Sequence, residues 1–255
     1  MQTQNKPCEC RPTMPLIGDQ APAFKANTTN GPINFPADYK GKWVILFSHP
    51  SDFTPVCTTE FVMFQSMLEE FRALNTEVIG LSVDSIASHI AWLRTIEEKI
   101  EFKGIKGKPI TFALIEDVTM NVSRLYGMMQ PNASATKPVR AVFFIDPKGV
   151  VRALVYYPAS TGRNFDELKR VLISLQTGDK FDVSTPADWW PGDEVVVGAP
   201  STCMAADKRA KDKSVRCEDW FLAFKKLSKE ELKKGLLKTK PVAKAKKAAK
   251  RRAKK

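Results

Sequence analysis

The sequence predicts an α/β fold with a mixed central sheet flanked by helices and a small C-terminal extension. Three observations predict it. Apolar runs of strand length alternate with longer stretches whose apolar residues recur every three or four positions. Two late apolar runs are joined by Asp146-Pro147-Lys148-Gly149, a hairpin turn, which adds antiparallel strands to a parallel sheet. From about residue 178 the texture changes to GDKFDVSTPADWWPGDEVVVGAP, rich in proline and tryptophan.

The elements follow in order. Residues 43–48, WVILFS, form a continuous apolar run short enough for a buried strand. A helix is expected over residues 57–74, where Phe61, Phe64, Leu68, Phe71 and Leu74 make one stripe. Residues 77–84, EVIGLSVD, return as a strand, so strand, helix and strand make a right-handed βαβ unit with parallel strands. Residues 85–100 read as a second helix, with Asp84 or Ser85 as N-cap and Ile90, Leu93 and Ile100 facing inward. A strand at 110–115 and a short helix at 119–126 precede the hairpin strands at 140–146 and 150–157. A last helix spans 164–175, capped by Asn164 and packed through Phe165, Leu168, Leu172 and Leu175. The expected division is a mobile N-terminus (1–13), a main domain (14–177), an extension with one strand at 194–197 and dimer contacts (178–237), and a disordered basic tail (238–255).

Composition narrows the function classes. Of 255 residues 43% are hydrophobic, enough for a sizeable core and against disorder throughout. No apolar run approaches the ~20 residues of a membrane helix. The N-terminal MQTQNKPCECRP lacks the apolar core of a signal peptide, so a cytoplasmic location is expected. The net charge of +12 is concentrated: residues 238–255 carry ten Lys or Arg and no acid, which leaves about +2 for the rest. Such a block is either a solvated tail or a contact for polyanions. The five cysteines are Cys8, Cys10, Cys57, Cys203 and Cys217. An odd count without a secretion signal argues for reduced thiols and against a static disulfide framework. Cys8 and Cys10 form one C-x-C pair, which cannot complete a four-ligand zinc site, and two histidines in unrelated positions make a weak metal site.

The chemistry centres on SHPSDFTPVCTTEF, residues 48–61. Pro50 and Pro55 punctuate the connection between strand and helix, because neither donates a backbone hydrogen bond. Cys57 then falls in or beside the first helical turn, where free N–H groups and the positive end of the helix dipole favour a thiolate, the nucleophilic form. Thr54 offers a hydroxyl that donates and accepts, and His49 ends the strand at the same place. An arbitrary cysteine at a strand–helix junction is more often core filler. The helix-start position and the polar company favour the nucleophile here.

Pro50-x-x-x-Thr54-x-x-Cys57 resembles the active-site signature of the peroxiredoxins, thiol peroxidases on a thioredoxin-like fold. FSHPSDFTPVCTTE is similar to the subfamily of one-cysteine enzymes and their archaeal and bacterial relatives. PVRAVFFID (138–146) and YYPASTGRNFDELKRVLISLQ (156–176) resemble two further blocks, and the likeness runs from about Met14 to Pro200. The resemblance implies that Cys57 attacks a peroxide oxygen and becomes a sulfenic acid. Thr54 would align the peroxide, Arg140 would hold the thiolate and stabilise the leaving oxygen, and Pro50 would shield the sulfur. His49, Glu60 and Arg163 would be supports, whereas His89, outside any motif, reads as surface or packing. No metal, haem or flavin is implied. The expected partners are a peroxide, a thiol reductant and a second copy in a homodimer or a ring of dimers, with no membrane.

A sulfenic acid needs a second thiol. Cys217-Glu218-Asp219-Trp220-Phe221-Leu222-Ala223 is similar to a C-x-D-W-x-x-C motif of the relatives, but its second cysteine is Ala223 here. Cys217, Cys203 or an external thiol remains as resolver. A lipase serine that some relatives carry falls at Lys42 in KGKWV (40–44), so no lipase chemistry is assigned. Two other functional classes stay open: a redox-sensing or chaperone-like oligomer, and a polyanion-associated protein acting through the tail.

Overall fold

Trp43–Ser48 is apolar at all but its last position, and such a strand must be covered on both faces. All six of its residues are buried. The computed structural model describes residues 14–228 and 230–232. Cys8, Cys10 and the basic tail lie outside the described residues.

In chain order the elements are β1 (Phe24–Ala26), β2 (Ile33–Phe35), β3 (Trp43–Ser48), α1 (Pro55–Ala73), β4 (Thr76–Ser82), α2 (Ile86–Lys99), β5 (Glu101–Phe102), β6 (Ile105–Lys106) and β7 (Ala113–Glu116). There follow α3 (Asn121–Leu125), β8 (Arg140–Ile145), β9 (Val151–Tyr157), α4 (Phe165–Phe181), β10 (Val183–Ser184), β11 (Val195–Val197), α5 (Cys203–Ala210), β12 (Arg216–Asp219) and β13 (Leu222–Lys225). The chain divides into two units: residues up to Arg72 with Thr76–Phe165, and Ala73–Asn75 with the chain from Asp166 onward.

The first unit is built on a five-stranded sheet in the order β7-β4-β3-β8-β9. β3 pairs in parallel with β4, and β4 with β7, whereas β8 runs antiparallel to both β3 and β9. The mixed sheet with flanking helices is the architecture expected from the sequence. One face buries Val44, Leu46, Ile79, Leu81, Phe143 and Ile145 together with Phe35, Tyr126 and Met128. On β3 the alternate residue Phe47 faces α1, stacking on Phe64 at 4.0 Å and meeting Phe61 edge-on at 5.7 Å.

Among the differences from the sequence reading, three concern the long helices. α1 begins at Pro55 rather than at Cys57. Proline suits a first helical position, where its missing N–H would have had no partner in the helix. α2 is capped by Ser85, whose hydroxyl accepts from Ser88 N, but its buried residues are His89, Trp92 and Ile96. Ile90 is 41% exposed, so the expected inner face was turned by one residue. α4 runs on to Phe181.

In the second unit the single strand expected near 194–197 is one of four, in the order β10-β11-β13-β12. β12 and β13 are too short to announce themselves by periodicity. They form a hairpin in which Cys217 pairs with Ala223.

Gly80 shows how tightly the α1 side of the sheet is filled. A Cβ there would lie 2.9 Å from Phe47 Cζ and 3.0 Å from Leu114 Cδ1. Gly80→Ala should therefore destabilise by about 1–3 kcal/mol, as overpacking does. Thermal melts of Gly80→Ala, Phe47→Leu and the double variant check this: the double should lose less than the sum, and strict additivity would mean that the ring is not what the methyl meets.

Candidate active site

The site is built at the C-terminal end of β3. Thr54 lies just before α1 and its carbonyl takes the Thr58 N–H at 3.0 Å. Cys57 is the third residue of α1 and fully buried. It therefore sits in the first turn, beside the amide groups at the positive end of the helix. The pairing of Phe47 with Val142 carries Arg140, two residues earlier on β8, level with the chain just past Ser48.

Arg140 is 2% exposed and its guanidinium is held on every side. Nε and Nη2 donate to Ala159 O at 3.0 and 2.7 Å. Nη1 donates to Cys57 Sγ at 3.3 Å and to Glu60 Oε2 at 2.7 Å. Glu60, one helical turn after Cys57, is shared: Arg163 Nη1 reaches Oε2 at 2.8 Å and Arg163 N reaches Oε1 at 2.9 Å. Arg163 Nη2 also donates to the carbonyls of Ser48 and Ala141. Its guanidinium lies over the Phe47 ring at 5.1 Å. Burial lowers the Arg163 pKa to about 10, with Arg140 adding to the fall and Glu60 opposing it. One carboxylate thus stands between two guanidiniums, leaving one uncompensated positive charge beside the sulfur. An opposite charge placed there would be favoured electrostatically.

Behind this group lies a second buried network. Asp52 accepts His49 Nε2 at 3.1 Å on Oδ1, and Ser88 Oγ and His89 Nδ1, both at 2.8 Å, on Oδ2. Burial pushes the Asp52 carboxyl up, but the hydrogen bonds from His49 and His89 more than offset it, and its pKa falls to about 2. His89 Nε2 meets Ile115 O at 3.1 Å. His49 is fully buried, and burial lowers its pKa despite Asp52. Its Nδ1 has no hydrogen-bond partner among the described residues. Asp84 accepts from Asp52 N at 2.9 Å, Ser82 Oγ at 2.8 Å and Ser51 Oγ at 3.3 Å. His49, Asp52 and Asp84 bring one possible metal-ligand atom each to within 4.8 Å of one another. Those carboxylates already serve hydrogen-bond donors, with which a cation would have to compete.

The structure brings Cys57, Glu60, Arg140 and Arg163 into direct contact. Pro50 is buried in the connection, and the Thr54 hydroxyl donates to Ser51 O at 2.8 Å. His49 spends its bond on Asp52. Cys203 is exposed and Cys217 half-buried, both in the second unit. Sequence reasoning missed Asp52, Asp84 and the inward place of His89. The signal for His89 was the spacing of His89, Trp92 and Ile96, which fits a helix face better than Ile90, Leu93 and Ile100 do.

Residues 17–154 match the model of the AhpC/TSA family, and residues 174–213 match that of the C-terminal domain of 1-Cys peroxiredoxin. A peroxiredoxin of Methanosarcina mazei is 59% identical over 215 residues, covering 84% of this chain and 98% of that protein. The chain belongs to the peroxiredoxin family. It is a thiol-dependent peroxidase, and a peroxiredoxin of Aquifex aeolicus is likewise 48% identical over 84% of this chain and 98% of its own length. Among solved structures, a yeast mitochondrial 1-Cys peroxiredoxin is 40% identical with a TM-score of 0.73, covering 84% of this peroxiredoxin and all of that chain (100%). A cysteine-to-serine mutant of Peroxiredoxin 6 of Arenicola marina is 32% identical with a TM-score of 0.72, covering 84% and 99%. Thioredoxin-like architecture follows from these neighbours. No helix among the described residues is long and apolar enough to cross a membrane.

The buried histidine gives this peroxiredoxin a pH signature. Folded His49 resists the proton that the unfolded chain takes up near 6.5, its ordinary value. That stability is present above 6.5 and lost as pH falls; the Asp52 share, with a pKa lowered from 3.8 to about 2, goes only in stronger acid. Between about pH 7.5 and 5 the melting temperature should fall, and fall less in His49→Asn. Equal slopes would remove His49 as the cause.

Proposed function

We propose that Cys57 is the peroxide-reactive cysteine, and that Arg140 Nη1 at 3.3 Å from its sulfur is the observation that carries the assignment. The thiolate attacks the terminal oxygen of a hydroperoxide. A sulfur–oxygen bond forms, the O–O bond breaks, and its electron pair leaves with the distal oxygen, which takes a proton to give the alcohol or water. The cysteine is left as sulfenic acid.

Arg140 serves both ends of this step. Its charge stabilises the thiolate, and its fixed N–H groups are ready for negative charge growing on the leaving oxygen. Thr54 aligns the peroxide and Pro50 keeps water from the sulfur. Glu60 and Arg163 hold Arg140 in place, and His49 belongs to the supporting shell.

A thiol then condenses with the sulfenic acid, releasing water and forming a disulfide; a further thiol reduces that disulfide. Cys217 and Cys203 are the candidates within the chain. The alternative is an external thiol of the glutathione or thioredoxin class, the systems named for the yeast 1-Cys enzyme. A homodimer or ring of dimers in the cytoplasm is the expected setting, with hydrogen peroxide and organic hydroperoxides as substrates. The ten Lys or Arg in residues 238–255 suit contact with a polyanion.

Hydrogen peroxide consumption with dithiothreitol tests the assignment. Cys57→Ser should abolish turnover, and retained turnover would return Cys57 to the core. If Cys203→Ser/Cys217→Ser keeps full turnover, resolution is external; if it loses turnover, the extension belongs to the cycle.

Deleting residues 238–255 should abolish binding to heparin or DNA while leaving peroxide turnover intact. Loss of turnover would mean that the tail serves the active site.

A further inference from the structure

The peptide group that joins Ser51 to Asp52 is gripped at both ends. Its N–H donates to Asp84 Oδ2 at 2.9 Å, and its carbonyl accepts the Thr54 hydroxyl at 2.8 Å. The result is one polarised line: carboxylate, peptide, hydroxyl. A negative charge at the N–H end pushes electron density toward the carbonyl oxygen and strengthens the bond made there.

This line fixes what Thr54 can do. A hydroxyl has one hydrogen and two lone pairs. Once the hydrogen is committed to Ser51 O, the oxygen can only accept. The O–H of a hydroperoxide is a donor, so an accepting threonine is the matching partner.

The loop itself needs outside support. Phe53, between Asp52 and Thr54, has φ of 52°, in the left-handed region. That conformation is unfavourable for a non-glycine residue. The Phe53 ring is 57% exposed, so its packing does little to hold the turn. The holding falls to hydrogen bonds, and Asp84 supplies two of them, to Asp52 N and to Ser51 Oγ at 3.3 Å. Ser82 Oγ at 2.8 Å in turn steadies Asp84 at the end of β4.

We propose that Asp84 is a positioning residue for the peroxidase reaction: through the Ser51–Asp52 peptide it orients the Thr54 hydroxyl as an acceptor for the incoming peroxide. The proposal rests on the assignment of Thr54 to peroxide alignment.

The test is a double-mutant cycle on the full chain with Asp84→Asn and Thr54→Val. Two rates are read for each protein: sulfenic acid formation with hydrogen peroxide, and alkylation of Cys57 by iodoacetamide, which needs the thiolate but no aligned peroxide. Cys57 is followed by mass spectrometry, so the other thiols do not interfere. Asp84→Asn should slow the peroxide step about tenfold and leave alkylation unchanged. In the Thr54→Val background it should cost nothing further. An equal loss in both backgrounds overturns the proposal, and so does a parallel fall in alkylation. A Thr54→Val protein with the normal peroxide rate instead sinks the Thr54 assignment. If Asp84→Asn does not fold, Ser51→Ala replaces it: a loss confined to the Thr54 background supports the proposal, and an equal or absent loss overturns it.

Discussion

The Glu60 carboxylate, buried between the guanidiniums of Arg140 and Arg163, is the constraint on which the rest of the site depends. Three ionised groups removed from water would be costly if any one lacked a partner. Here each is paired and hydrogen-bonded, and the remaining contacts tie the group to the scaffold. Arg140 is fastened to Ala159 O, and Arg163 to Ser48 O and Ala141 O. The charges therefore bind α1, β3, β8 and the segment after β9 into one arrangement around Cys57.

The aromatic packing beneath serves the same end. Phe47 stacks on Phe64, and Arg163 lies over both rings at 5.1 and 5.9 Å. A buried guanidinium keeps a favourable electrostatic partner in a ring face when water is gone. Gly80 leaves room for the Phe47 ring to take that place. A glycine in the middle of a strand, usually a weakness, thus contributes to the position of the charged group that lies over that ring.

Much of this was legible in the sequence because it is local. The strand at 43–48, the helix stripe of Phe61, Phe64 and Leu68, and the turn at 146–149 each follow from residues close together in the chain. Cys57 was legible because strand, prolines and helix start together define its place. Arg140 and Arg163 required the family resemblance, since nothing in their own neighbourhoods separates a buried arginine from a surface one. Asp52, Asp84 and His89 escaped because the bonds that join them to one another, Asp52 N to Asp84 and His89 to Asp52, span 32 and 37 residues of sequence. Polar residues also carry no hydrophobic period to reveal which way they face. The hairpin of β12 and β13 escaped for a different reason: both strands are only four residues long, and the first, Arg216-Cys217-Glu218-Asp219, is mostly charged and looks like a loop.

That hairpin limits what Cys217 can pair with. Cys217 stands directly across the ladder from Ala223. Cross-strand partners are about 4.5–5.5 Å apart at Cα, the separation a disulfide spans. A methyl group occupies the place from which a second sulfur could close that bridge. An oxidising equivalent that reaches Cys217 therefore cannot be parked as an internal cross-strand disulfide. A sulfur that pairs with Cys217 must come from outside this hairpin, elsewhere in the chain or on another molecule.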